Sequence, residues 1–222
     1  MISPPQKRDS ERAYDKLVEM LLNGTITEDQ PLSERNLSEL LGLGRTPIRE
    51  AVRDLVREGV LESHPMRGTV LRPLTIADLQ DLYEIRYGIE GIAASLAAQR
   101  GDVKELEPFA RAFEEALSNP DFDVVEVHDV GVEFHKTVMR LSGNKRLLEM
   151  YYPFRLRFRI PFGIIRNRTP ERVRDAVLEH QAMLEAIVRR DADQARQLMC
   201  DHLRKGLDFR IEMLLNRARY KI

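Results

Sequence analysis

A mostly α-helical chain in two parts is expected: an N-terminal winged helix-turn-helix with a small β wing, followed by a C-terminal antiparallel bundle that is all helix. Three observations carry this. Apolar residues recur at helical spacing along most of the 222 residues, two short strand-like runs occur only between Val60 and Arg72, and a Gly-Arg turn at Gly44-Arg45 separates two short helical stretches.

The elements follow in order. Ala13, Tyr14, Leu17, Val18, Leu21 and Leu22 mark a first helix over Ser10–Leu22, closed by Asn23-Gly24. Ser33 is the expected N-cap of a second helix with Leu37, Leu40 and Leu41 on its apolar side, stopping at Gly42. After the turn Leu43-Gly44-Arg45, a third helix opens with Thr46 as cap and Pro47 in its first turn. It turns Ile48, Ala51, Val52, Leu55 and Val56 inward and ends at Gly59. Val60–Ser63 and Thr69–Arg72 read as strands joined by His64-Pro65-Met66-Arg67-Gly68, a β wing.

Pro73-Leu74 reads as the joint between domains 8–73 and 74–220. Beyond it, Thr75 with Asp78 resembles a capping box that opens a helix to about Arg100. Further helices are expected over 102–118, 121–142, 144–167 (disturbed by Pro153 and Pro161), 169–190 and 191–218. Asn144 after Gly143 reads as helix-end chemistry.

Composition bounds the function. No run approaches the ~18 apolar residues that cross a bilayer, and Met1–Arg8 lacks a secretory apolar stretch, so the cytosol is the expected compartment and no membrane partner is expected. Cys200 is the single cysteine, which excludes an intrachain disulfide and a thiolate-cluster metal site; it reads as a small buried residue on a helix. Net charge is −1, and residues 1–73 hold 11 Lys+Arg against 12 Asp+Glu. Only Arg35–Arg72 leans positive, with 7 Arg against 5 acids. Affinity for DNA must then come from a few placed arginines, and it should weaken with salt.

The third helix is built to offer its N-terminus. Unpaired backbone N–H groups and the positive dipole end lie beside Arg45, Thr46 and Arg49, a set suited to phosphate oxygens and guanine edges, while Arg53 continues the outer side. Leu32–Ser38, Leu41–Val52 and Gly59-Val60-Leu61 through Arg67-Gly68-Thr69 resemble the winged-helix signature of the GntR regulators. The resemblance implies that Arg35, Arg45, Thr46 and Arg49 contact DNA, with Arg67 and Gly68 at the wing. Relatives commonly carry Ser or Thr where this chain has Gly44, which removes one hydroxyl contact to phosphate. Pro65 and His64 are expected to shape the wing.

In the helical region, His135, His180 and His202 lie on three separate helices among apolar neighbours and could converge on the interior. Three imidazoles around one cavity suit Zn(II), Ni(II) or another borderline ion, with positions left for water or an acidic ligand. Glu84-Ile85-Arg86 with Glu90, Phe134-His135 before Gly143-Asn144, Glu179-His180 and Asp201-His202-Leu203 are similar to the FCD effector domain of the FadR branch of GntR regulators. In many such relatives an Asp one turn before the first histidine is the fourth ligand; here that position is Gly131. Three outcomes stay open: three histidines completed by water or effector, a substitute from His128 or Asp129, or a pocket without metal.

Arg86 pairs with Glu90 at i,i+4 in one reading; the resemblance instead points it into an effector cavity to hold a carboxylate. Arg155, Arg157 and Arg159 could line the same pocket or face solvent or a dimer partner. Together these readings predict a homodimeric, sequence-specific transcriptional regulator, a repressor on a palindromic double-stranded DNA operator, that is relieved by a small carboxylate metabolite. The alternative is a metal-dependent hydrolase built on the three histidines, which lacks a general base and any Gly-x-Ser-x-Gly motif. A nonspecific DNA binder is disfavoured by the near-neutral charge.

Overall fold

The computed structural model describes residues 8–27, 30–73, 75–151 and 169–220, which divide between two compact units at residues 74–75. Arg155, Arg157, Arg159 and Pro161 lie outside the described residues.

In the first unit, α1 (Asp9–Leu22) buries Ala13, Leu17 and Leu21, and Asn23 ends it. The cap of α2 (Glu34–Leu41) is Ser33, whose Oγ accepts from the Asn36 amide at 3.3 Å; Gly42 at φ 62° terminates it in the left-handed region that glycine tolerates. The start of α3 (Arg45–Arg57) departs from expectation. Gly44 is the N-cap, with no side-chain capping bond, so Thr46 sits inside the first turn and does not cap it. The physical reason is that the first intrahelical bond, Ile48 N–H to Gly44 C=O at 3.3 Å, already encloses Pro47, whose missing N–H belongs to a donor position that has no helical partner anyway.

Strands β1 (Leu61–His64) and β2 (Gly68–Leu71) pair antiparallel from Leu61↔Leu71 to His64↔Gly68, a residue off the expected bounds. The outer edge of β2 is covered by Leu32, whose amide donates to the Thr69 carbonyl at 2.7 Å. Leu17, Leu21, Ile48, Leu55, Leu61 and Leu71 close one small core beneath α1, α3 and the wing.

In the second unit α4 (Ile76–Arg100) opens with the expected box: Thr75 Oγ1 accepts from the Asp78 amide and Asp78 Oδ2 from the Thr75 amide, each at 3.0 Å. The single helix expected over 102–118 is two pieces, a 3₁₀ turn (Val103–Leu106) and α5 (Glu107–Ser118). Pro108 explains the break, because its ring would collide with the carbonyl of Lys104 in a continuous α-helix. Asp123 caps α6 (Val124–Leu141) through both the Val125 and Glu126 amides. Past Gly143, Asn144 Oδ1 accepts from the Arg146 and Leu147 amides and so caps α7, which begins at residue 145 and is described to 151. Thr169 caps α8 (Pro170–Val188), and α9 (Ala192–Tyr220) follows a tight turn. In that turn Arg190, at φ 64°, donates to the Ala98 and Gly101 carbonyls and satisfies the C-terminal end of α4.

No strand occurs in this unit among the described residues. Helix α4 runs through its centre, packed on α6, α8 and α9. Small residues permit the close approach of α9: a Cβ on Gly91 would stand 2.9 Å from Cys200 Sγ, and Ala94, Ala97 and Ala98 are fully buried. Cys200 itself is half-buried on α9. Phe109, Phe113 and Phe134 form an edge-to-face group between α5 and α6, with Phe134 also 5.4 Å from the His180 ring.

Phe134→Ala would empty the middle of that group and should cost about 3–5 kcal/mol of stability. Urea unfolding of the purified variant checks this, and a loss below about 1 kcal/mol would show that the group does not carry the core.

Candidate nucleic-acid interface and metal centre

The core face of α3 decides what its other face presents. With Ile48, Ala51, Val52 and Leu55 buried, Arg45, Arg49 and Arg53 recur every four residues along the exposed side. Among the described residues none of them, nor Arg67, has an intramolecular ion pair, whereas Arg35 pairs with Glu39 at 3.1 Å and Arg57 with Asp54 at 2.8 Å. Thr46 is exposed beside the free amides of the first turn. Arg67 and Gly68 lie exposed at the wing, next to Met66 at 97% exposure; Gly68 adopts φ 76°, and His64 is held by Glu62 at 2.9 Å. At Gly44 a Cβ would meet only the Pro47 ring, at 3.5 Å, so sterics do not dictate the missing hydroxyl there.

The three histidines do converge. His135 comes from α6, His180 from α8 and His202 from α9, and His135 Nε2 lies 3.1 Å from both His180 Nε2 and His202 Nε2. Two carboxylates that sequence reasoning did not place as site residues stand behind them. Glu90 Oε2 accepts from His135 Nδ1 at 2.7 Å, and Glu179 Oε2 accepts from His202 Nδ1 at 2.6 Å. A carboxylate can only accept, so both imidazoles carry their proton on Nδ1 and turn the Nε2 lone pair inward. Facing lone pairs repel unless a proton or a cation lies between them. Three neutral imidazole nitrogens fit a borderline divalent ion: Zn–N bonds of about 2.0–2.1 Å in tetrahedral geometry place nitrogens roughly 3.3 Å apart, close to the separations seen. The signal that finds Glu90 is its placement four residues after Arg86 on an apolar stripe; Glu179 has no comparable mark beyond adjoining His180.

Neither His128 nor Asp129 joins the cluster. The structure also gives a reason for Gly131. A Cβ there would fall 2.7 Å from His180 Cε1 and 3.1 Å from Nδ1, so the His180 ring lies against the α6 backbone where a side chain would stand. That ring is stacked on Phe113 at 5.6 Å, and its Nδ1 is buried without a hydrogen-bond partner.

Arg86 donates from Nε to Glu90 Oε1 at 2.5 Å, so the i,i+4 pair exists, and its guanidinium lies 4.8 Å from the Tyr83 ring centre. Glu90 is fully buried. Burial alone would raise its carboxyl, but Arg86 and His135 outweigh that and hold it down to about 2. Burial, reinforced by the neighbouring imidazoles, pushes His180 and His202 well below the ordinary histidine value.

These shifts give a pH dependence. The unfolded histidines protonate near 6.5, the folded pair only well below it, so as pH falls from 6.5 the unfolded chain takes up protons first. The stability held by the neutral pair is therefore complete above pH 6.5 and is lost on acidification, before Glu90 contributes its own loss below about 4.5. The urea midpoint of metal-free protein should fall between pH 7 and 5, and His180→Gln should flatten the slope; a level wild-type profile would contradict this.

Comparisons with known proteins bear on both faces. Residues 9–71 match the family of bacterial regulatory proteins, gntR family, and residues 81–205 match the FCD domain. The chain is 28% identical over 206 residues to the HTH-type transcriptional regulator YdhC of Bacillus subtilis (strain 168), covering 88% of this chain and 91% of that one. It is 34% identical over 193 residues to a protein of Escherichia coli (strain K12) named for regulation of the L-lactate dehydrogenase operon, covering 77% and 74%. The solved structure of E. coli McbR/YncC superposes with a TM-score of 0.79 at 20% identity, over 94% of this chain and all of that one, and agrees in fold. These relatives are regulators and lend the hydrolase alternative nothing. The chain belongs to the GntR family of transcriptional regulators and carries an FCD domain.

Proposed function

We propose that residues 8–73 read a palindromic double-stranded DNA operator as one half of a homodimer, and that residues 74–220 dimerise and bind a small carboxylate, which relieves repression. The observation that carries the DNA reading is the run of exposed, unpaired arginines on α3 continued by Arg67 at the wing, whereas Arg35 and Arg57 of the same unit are paired. Arg45, Arg49 and Thr46 contact the major groove and its phosphates, Arg35 the adjoining backbone, and Arg67 with Gly68 the backbone or minor groove. Dimerisation is supported by α4, which is apolar on both sides: its outer face exposes Ile85 and Ile92 around Gly88. The protein acts in the cytosol; none of its described helices is long and apolar enough to cross a membrane.

His135, His180 and His202 hold a divalent ion, Zn(II) or Ni(II), with Gly131 supplying no ligand. When bound, the ion supplies a positive centre for an acidic ligand. The chain's own contribution is Arg86, a buried guanidinium that balances Glu90 and lines the effector side, while Glu90 orients His135. A carboxylic acid is also suggested by the relative named for an L-lactate dehydrogenase operon. Acid binding would change operator affinity through a coupling free energy of about 1–3 kcal/mol.

Two outcomes are expected. Arg49→Ala should weaken binding to a promoter fragment by about 1–3 kcal/mol and relax preference at one base pair per half-site, measured by fluorescence anisotropy across single-base variants. An unchanged affinity would remove Arg49 from the interface. Calorimetric titration of chelator-stripped protein with Zn(II) should show one site per chain that His135→Ala abolishes, and absence of binding by the wild type would refute the metal centre.

A further inference from the structure

We infer that Glu179 is the positioning residue for His202, held in place by Arg172 and Lys205, and that it presets the inward Nε2 of that imidazole. This rests on the proposal that the three imidazoles hold an ion.

Glu179 is 12% exposed and uses its two oxygens for different tasks. Oε2 takes the His202 Nδ1 proton at 2.6 Å; Oε1 faces Lys205 Nζ at 3.2 Å and Arg172 Nη1 at 3.5 Å. The Arg172 contact is too long for a hydrogen bond, and Nη1 is buried with no hydrogen-bond partner. Its guanidinium, 6.0 Å from the Phe209 ring, therefore acts on Glu179 as a nearby charge, which holds the carboxylate in place without a direct hydrogen bond. Arg172, Glu179 and His202 repeat on α8 and α9 what Arg86, Glu90 and His135 do between α4 and α6: cation, carboxylate, imidazole in series.

The third imidazole breaks the pattern. His180 Nδ1 has no acceptor, and its ring is placed by Phe113, Phe134 and the bare backbone of Gly131. Two ligands are thus oriented by charge and one by packing. Without Glu179, His202 is free to carry its proton on Nε2, where it blocks an ion.

The test reads His202 twice. Long-range ¹H–¹⁵N NMR of metal-free, ¹⁵N-histidine-labelled protein at neutral pH should show His202 protonated on Nδ1 in the wild type. Glu179→Ala should give a mixed or Nε2-protonated ring, while His135 stays unchanged. Zinc affinity, by competition with a fluorescent chelator, should drop about 10- to 100-fold in Glu179→Ala. Glu179→Gln keeps the shape and an accepting oxygen but not the charge, and should fall between; it carries the test if the alanine variant does not fold. An unchanged His202 tautomer with zinc affinity within twofold of wild type would overturn the inference. A wild type that takes up no zinc would overturn the metal reading alone, with the tautomer still deciding whether Glu179 sets His202.

Discussion

A fully buried carboxylate, Glu90, constrains the second unit more than any other group. An ionised carboxyl in that position is tolerated only because Arg86 and His135 meet it from two sides; removing Arg86 would leave an uncompensated buried charge, and removing His135 a buried carboxylate oxygen without its donor. Since Arg86 and Glu90 belong to α4, His135 to α6, and the two rings it faces, His180 and His202, to α8 and α9, satisfying one charge ties four helices to one point. The imidazole cluster follows from this, because His135 can present Nε2 inward only while Nδ1 is engaged.

The first unit solves a simpler problem. Its core is small, and α3 spends one whole face on it, which leaves the arginines nowhere to go but outward. Near-neutral total charge then becomes informative: in the proposed binding mode, attraction for nucleic acid would be confined to a few unpaired guanidinium groups, the condition under which base contacts matter relative to diffuse phosphate attraction.

Most helices were legible because their apolar faces repeat regularly and their ends carry Ser33, Thr75, Gly42 and Thr169, residues whose chemistry is local. The misreadings are local too. Thr46 looked like a cap because Pro47 usually enters at the first helical position, yet Gly44 has the extended backbone a cap needs and the helix starts two residues sooner. Pro108 broke 102–118 where periodicity alone ran on. In the site, the three histidines could be named from spacing and resemblance, but Glu179 and Arg172 could not: what they do depends on α9 lying beside α8. Gly131 was visible as a missing acid, while its physical reason, the His180 ring at 2.7 Å, exists only in three dimensions.

The central claim is that outward arginines on α3 engage a duplex as a symmetric pair. Footprinting the wild-type protein on DNA from its own promoter region at low salt tests this most directly. The account predicts two protected half-sites related by a dyad, with centres about one helical turn, roughly 10 base pairs, or a multiple of that apart. A single unsymmetric patch, or no protection at all, would contradict it.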